Sequence, residues 1–465
     1  MEHFDVIIIG SGPAGEKAAA QAAYIGKKVL IIEKEKVVGG AMVNTGTLPS
    51  KTLRETSLFL SGKKQRGMYG VEFQLGKQIT IQDLMFRKTF IIKKEIEMIN
   101  ENLAKHKVKL VTGAGYFIDE HTVGIEGREE KYSTEFILIA VGSYPFRPKT
   151  IPFEYEQVYD SDEILEMIHI PKSMVIVGAG VIGCEYACMF AALGIEIILI
   201  DPKDVVLPFL DSEISQLLVE EMKELGVKFL FNDSVDKVEI NANRFCETFL
   251  KSGNKLVSET FLYAAGRSGN VGKLKLENVG LAVNNRGQME VNEHYQTKVS
   301  NIYAVGDVIG FPSLASTSME QGRVAMCHAF DFKYKERVAA LLPYGIYTIP
   351  EASMVGMTED EAKKKGIAYE VGKSFYADNP RGQIIGNERG MLKLVFSKPD
   401  KKLLGVHVIG DNASEIVHAG MLVMYFGGTI DAFIESVFNY PTLSDIYKYA
   451  TYDGLGNLSG HKIRK

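Results

Sequence analysis

Tryptophan is absent from this chain of 465 residues, and cysteine occurs only four times. The first absence excludes nothing by itself. The second excludes a disulfide framework, because four cysteines cannot staple a chain this long. Neither sign of charge dominates: 53 Lys and Arg stand against 58 Asp and Glu, a net charge of −5. Without a basic excess, nucleic acid and anionic membrane are argued against as main partners. No apolar run reaches the ~18 residues that a membrane span needs. No basic segment with an apolar stretch precedes Val6-Ile7-Ile8-Ile9, so no secretory leader is read there. A cytoplasmic protein is expected, with a polar, basic and frayed tail at Ser459–Lys465. What is present is ordinary for a globular protein: 46% hydrophobic and 24% charged residues. That balance excludes disorder, collagen and coiled coil as the dominant state. At ~150 residues per domain, the length suggests about three domains.

A pattern of strand, glycine turn, helix and strand occurs twice. The first copy runs from Asp5–Ile9 through Gly10-Ser11-Gly12-Pro13-Ala14-Gly15 and an Ala-rich helix to Lys28–Glu33. The second runs from Ser173–Val177 through Gly178-Ala179-Gly180-Val181-Ile182-Gly183 and a helix ending at Leu193 to Glu196–Asp201. Both strand pairs are apolar, as in a parallel sheet buried on both faces, and each helix is the crossover of a βαβ unit. Between the copies, Ile79–His106 has helical periodicity. Its charges (Arg87, Lys88, Lys93, Lys94, Glu95, Glu97) predict a solvated face. Short apolar strands at 136–141, 261–265 and 302–305 run into Gly142-Ser143, Gly266-Arg267 and Gly306-Asp307. From about Pro343, strands such as 390–396 and 404–409 alternate with helices at 359–365 and 413–426, which predicts an α+β domain.

One glycine fingerprint is weak evidence, but here the strand-before and helix-after context is met twice. Gly10 allows the tight turn, Gly12 lets backbone approach a pyrophosphate, and Gly15 permits close helix–sheet packing. The helix start offers free N–H groups and a positive dipole end to the phosphates. Glu33, with Lys34 beside it, ends the next strand, where a carboxylate accepts hydrogen bonds from a ribose. Gly178, Gly180, Gly183 and Asp201 repeat the arrangement. A carboxylate at Asp201 bonds ribose hydroxyls and repels a 2′-phosphate, which favours NAD(H) over NADP(H). Lys203 either softens that preference or is an ordinary surface lysine.

With both fingerprints in place, the chain resembles the two-dinucleotide-binding flavoproteins, a family that includes glutathione reductase and dihydrolipoamide dehydrogenase. The resemblance covers nearly the whole chain. Residues 10–15 look like the family's FAD fingerprint, and Tyr303-Ala304-Val305-Gly306-Asp307 looks like its second FAD motif, where the Asp binds the ribityl chain. Ala140-Val141-Gly142-Ser143 and Ala265-Gly266-Arg267 resemble its paired strand-end motifs. Ser313-Leu314-Ala315-Ser316 is similar to the helix start beneath the flavin pyrimidine, and Gly115 to a position near the adenine. The implied fold is α/β: two Rossmann-like dinucleotide-binding domains, for FAD and NAD(P), plus a C-terminal α+β dimerisation domain. The implied borders are FAD-binding parts at 1–150 and 273–342, an NAD(P)-binding domain at 151–272, and the dimerisation domain at 343–465. A homodimer is expected.

The departures from the family are coherent. Its redox disulfide follows a Gly-Gly pair. Here Gly39-Gly40-Ala41-Met42-Val43-Asn44-Thr45-Gly46-Thr47-Leu48-Pro49-Ser50-Lys51 carries Met42 and Thr47 instead of the two cysteines. Its C-terminal His-Pro-Thr-x-x-Glu reads Tyr440-Pro441-Thr442-Leu443-Ser444-Asp445. The thiols and the base that serves them are missing together. Met42 and Thr47 are expected to fill space. Tyr440 either donates its hydroxyl or fills the vacated histidine space, and filling is favoured. Lys51 and Glu185 match the family's ion pair beside the flavin and are the expected catalytic residues, the alternative being a purely structural pair.

A thioether cannot form a disulfide, so electrons that reach FAD must leave it directly. Thr47, Asn439-Tyr440-Pro441-Thr442, Tyr159-Asp160-Ser161-Asp162, Gly345-Ile346-Tyr347-Thr348-Ile349-Pro350-Glu351 and the run Val305–Ser316 resemble the family's transhydrogenase branch most, which implies hydride transfer from NAD(P)H to FAD and on to a second NAD(P)+. Two alternatives stand beside it: an NAD(P)H reductase of quinone-like acceptors, and a non-catalytic nucleotide-binding flavoprotein. Cys184 and Cys188 lie four apart on the helix after the second fingerprint. With no further ligand nearby, they are read as small packing residues. No metal is expected.

Overall fold

The computed structural model describes residues 1–62 and 79–461, so the last four residues of the expected tail lie outside the described residues. Both βαβ units form. The strand Glu2–Ile9 runs parallel to Val29–Glu33, with Val6 opposite Val29 and Ile9 opposite Ile32, and helix α1, Pro13–Tyr24, crosses between them. Val6 to Ile9 are buried on both faces, as parallel strands covered by helices must be. Among the described residues the first sheet has seven strands. Along its main path the order is Lys109–Thr112, Val29–Glu33, Glu2–Ile9, Lys131–Ile139, Thr122–Ile125, Gly115–Asp119. The seventh strand, Ile302–Ala304, pairs with Lys131–Ile139, so the chain returns to its first sheet after a long excursion.

Two short helices follow the first unit: α2, Gly40–Asn44, and α3, Thr47–Ser61. Helix α4, Ile81–Lys105, starts on a capping box between Thr80 and Asp83. Its charged face is solvated at Arg87, Lys93, Lys94 and Glu97 but not at Lys88, which is only 4% exposed. Lys88 lies one turn after the buried Leu84, on the packed face. Its ammonium crosses to the Leu165 carbonyl and to Glu166 at 2.9 Å. Charge alone did not place it on the wet face, because a paired amine can sit over a carbonyl at a neighbouring turn.

The excursion forms a second sheet of five parallel strands in the order Val227–Phe231, Glu196–Asp201, Ser173–Val177, Thr260–Tyr263, Val158–Asp160. Helix α5, Val181–Ala192, is its crossover, and α6, Ser212–Glu224, follows the strand ending at Asp201. Helix α7, Ala315–Ala329, packs against α1, with Gly322 against the Ala14 carbonyl. The C-terminal part is α+β. Its antiparallel sheet has the order Tyr344–Ile346, Ala352–Gly356, Leu403–Ile409, Met391–Ser397, Tyr369–Phe375, and α8, Glu359–Lys364, lies beside it. Among the described residues, no helix is long and apolar enough to cross a membrane.

Candidate active site

The two glycine turns are built alike. Gly10 has φ +107° and Gly178 φ +106°, a region that a side chain would strain. A Cβ at Gly15 would strike the Gly10 carbonyl, and one at Gly183 would strike the Gly178 carbonyl. Helices α1 and α5 therefore start hard against their strands. Neither Gly12 nor Gly180, the residues that cap them, supplies a side-chain acceptor. By contrast, α4, α6 and α8 are closed by Thr80, Asp211 and Thr358. The N–H groups left open at α1 and α5 suit a pyrophosphate. Pro13 and Ala14 open α1, and Val181 and Ile182 open α5.

The two strand-end acids also act alike. Glu33 accepts from the Ser11 N–H at 2.8 Å, the Ser11 hydroxyl at 2.6 Å and the Glu35 N–H at 2.9 Å. Asp201 accepts from the Ala179 N–H at 2.7 Å and the Lys203 N–H at 2.9 Å. Each carboxylate thus clips the middle of its own glycine turn, a role beyond the ribose contact read from sequence. Lys34 points away, pairing with Glu35 on the surface at 3.5 Å.

Around the first turn the residues fit a dinucleotide. A Cβ on Gly40 would lie 2.8 Å from the Gly12 Cα, so two bare glycines leave the mouth of the turn open. Ala140 continues the strand hydrogen bonding through its N–H to Ile9 O at 2.8 Å. Gly115 packs behind the turn against Ile9 and Ile32. Gly142 and Gly266 both take positive φ where their strands end. The Ser143 hydroxyl donates to Asp307 at 2.9 Å and accepts from Arg267 Nε at 2.9 Å, and Arg267 pairs with Asp162 at 2.7 Å. Arg267 stands in a strand-end motif whose residue types do not reveal that its side chain ties Ser143 to Asp162. Leu314 caps α7 without a side-chain acceptor, and Ala315 and Ser316 form its first turn, a second open helix end in this part of the chain.

The two halves meet at Lys51 and Glu185. Lys51, on α3, places Nζ 2.6 Å from Glu185 Oε2, on α5. The other Glu185 oxygen accepts the Tyr347 N–H at 2.9 Å, and Lys51 Nζ sits 4.9 Å from the Tyr347 ring centroid. Three distant stretches of chain thereby converge on one carboxylate. Tyr347 was not singled out from sequence, because its contribution is a backbone N–H. Burial pushes the Tyr347 phenol up from its ordinary pKa.

Met42 packs against the core around α1, as a space filler would. Thr47, at the first position of α3, is exposed within its own chain. Tyr440 is 71% exposed, so it fills no space within its own chain. All four cysteines are buried thiols. Burial pushes Cys184 well above its ordinary pKa and Cys246 up to about 12, which makes them inert packing groups.

A model of the pyridine nucleotide-disulphide oxidoreductase family matches residues 4–322, and a model of that family's dimerisation domain matches residues 342–451. The chain is 46% identical over 462 residues to the soluble pyridine nucleotide transhydrogenase of Mycobacterium tuberculosis (strain ATCC 25177 / H37Ra), covering 98% of each. It is 42% identical over 461 residues to the protein of the same name from Colwellia psychrerythraea, again covering 98% of each. The solved structure of the HOCl-induced flavoprotein disulfide reductase RclA from Escherichia coli superposes with a TM-score of 0.86 at 25% identity, covering 95% of this chain and 99% of that one.

Proposed function

This chain belongs to the pyridine nucleotide-disulphide oxidoreductase family, and from that premise we propose that it passes hydride from one nicotinamide nucleotide to another without a dithiol relay. It is an FAD-dependent NAD(P)H oxidoreductase of the soluble transhydrogenase type. One observation supports the absence of a relay: at the two positions where the motif resemblance puts redox cysteines, this chain has Met42 and Thr47. Bound flavin supplies a two-electron store between the two nucleotide encounters. The chain's own residues supply the rest. We assign residues 1–150 and 273–342 to FAD, 151–272 to NAD(P) and 343–465 to pairing with a second copy. The α1 and α5 N-termini hold phosphates, Glu33 and Asp201 face the riboses, and the Lys51–Glu185 pair orients the reacting ends. Exposed Tyr425, Phe426, Val437 and Tyr440 fit a surface that a second copy covers. The four buried thiols fit a reducing compartment, the cytoplasm.

The test is anaerobic. Holoenzyme reduced with NADH is mixed with an NADP+ analogue, with menadione, or with lipoamide and glutathione disulfides. Rapid reoxidation by the nucleotide analogue and none by the disulfides is expected. Fast reoxidation by menadione with slow reoxidation by the analogue would instead establish the quinone-reductase reading. Turnover of either disulfide would defeat the claim that no dithiol relay is needed.

Asp201 offers a second check. Asp201→Asn removes the charge that repels a 2′-phosphate and keeps an acceptor for the turn. The NADPH-to-NADH ratio of kcat/KM is expected to rise about tenfold, equivalent to about 1.4 kcal/mol. An unchanged ratio in steady-state assays would remove Asp201 from nucleotide choice.

A further inference from the structure

Three aromatic rings cluster where three parts of the chain meet: Phe311 of the second flavin part, Tyr344 of the C-terminal part and Phe209 of the NAD(P) part, the last tilted by 47° against Tyr344. Phe311 stacks on Tyr344 with centroids 5.9 Å apart and planes 16° apart, and Phe209 meets Tyr344 at 5.8 Å. Phe311 is 79% exposed, with its ring resting on Tyr344. A phenylalanine held so far into water stacks one face on its partner and presents the other to solvent.

The surroundings say what that face meets. Phe311 comes four residues after Asp307 and three before Leu314, in the segment linking the second flavin motif to α7. Tyr344 opens the strand that leads to Tyr347, whose N–H holds Glu185. At ~3.3 Å per residue, Tyr344 stands about 10 Å along the chain from that contact. Phe209 follows Leu207, whose N–H bonds the Ala179 carbonyl of the second glycine turn at 3.3 Å. One ring therefore comes from the second flavin part, one opens the C-terminal part beside the Glu185 contact, and the third is tied to the nucleotide turn. Asp201, which faces the adenosine ribose in our assignment, clips the other side of that turn.

We propose that the Phe311–Tyr344 stack is a platform for the nicotinamide ring of the nucleotide as it enters and leaves the cleft. The oxidised ring is flat, electron-poor and positively charged, so an aromatic face attracts it by stacking and by cation–π interaction. Phe311 is a specificity-determining contact for the nicotinamide half and leaves the adenosine half to the turn and Asp201. The proposal rests on the nicotinamide-nucleotide reading above, but not on which acceptor takes the electrons.

Calorimetric titration of the oxidised holoenzyme tests it without turnover. The probes are NAD+ and ADP-ribose, which lacks the nicotinamide. Phe311→Ala is expected to weaken NAD+ binding about tenfold and leave ADP-ribose binding unchanged, while Phe311→Tyr keeps the affinity for both. Equal weakening of the two probes would place the adenosine half on the platform and overturn the proposal, and so would no change in either. If Phe311→Ala weakens NAD+ alone but the wild-type protein fails the acceptor screen, the transhydrogenase reading falls and the platform stands. If the wild-type protein passes the screen but Phe311→Ala weakens neither probe or both equally, the reaction stands and the platform falls.

Discussion

Lys51→Ala is expected to slow the bleaching of bound flavin by NADH at least about tenfold in stopped-flow absorbance. The ammonium lies 2.6 Å from a carboxylate whose side chain is almost fully buried. Removing it leaves the Glu185 charge opposite the Tyr347 N–H without its cation, and takes a positive charge from the point where three segments meet. A charge-assisted hydrogen bond contributes about 1.5–3 kcal/mol, and about 1.4 kcal/mol is a factor of ten in rate. Two further readings separate this role from a structural one. The flavin midpoint potential is expected to fall, because a cation near the ring favours the reduced form. Lys51→Arg, which keeps the charge, is expected to recover most of both. The visible spectrum reports whether FAD is retained. An unchanged bleaching rate in the alanine variant would refute the role.

Lys393→Met is expected to cost about 3–5 kcal/mol of stability, read from the denaturant midpoint of the holoenzyme. The residue joins the nucleotide-binding part to the C-terminal part. Helices α6 and α8 meet start to start and cap each other: Asp211 accepts from Glu359 N–H at 3.1 Å, and Asp360 accepts from Ser212 N–H at 3.1 Å. The two positive helix ends only partly offset the four acids gathered there, and a central cation balances the rest. Lys393, itself buried, pairs with Asp211 at 2.9 Å, Glu213 at 3.1 Å and Glu359 at 2.5 Å. The methionine fills similar volume but leaves the buried Asp211 charge without its cation.

The pH dependence of this joint follows from the carboxylates. Burial acts to raise Asp211, but the pull of His407 and Lys393 outweighs it and holds the group below its ordinary range. Burial likewise acts to raise Glu213, and bonds to Lys373 and Lys393 outweigh it. Groups so lowered stabilise the fold above their unfolded values, about 4, and that contribution is lost as pH falls through the lower folded values. The wild-type protein should therefore lose stability below about pH 4 more steeply than Lys393→Met. Parallel stability curves from pH 3 to 7 would overturn the central role of Lys393.

How much of this was legible beforehand depends on the range of each interaction. The strand Ser173–Val177 and the strand Glu196–Asp201 were read to the residue, because apolar β-branched runs beside a glycine turn are local signals. Lys88 was misread as solvated because its partner is on a turn 77 positions away. Arg267 and Tyr347 lay inside recognised motifs, yet one acts through a side-chain network across the first and second halves and the other through its backbone.

The sequence by itself determined two dinucleotide folds, an α+β partner domain and the place of Met42 and Thr47 after the Gly39-Gly40 pair. Each of these is written in residue type at short spacing, where backbone geometry leaves few alternatives. Tertiary structure alone decided that the strand-end acids clip their own turns, that Lys393 joins two helix starts, and that Phe209, Tyr344 and Phe311 share one seam. Those contacts link residues far apart in the chain. They exist only once packing has brought the segments together, and no local propensity encodes them.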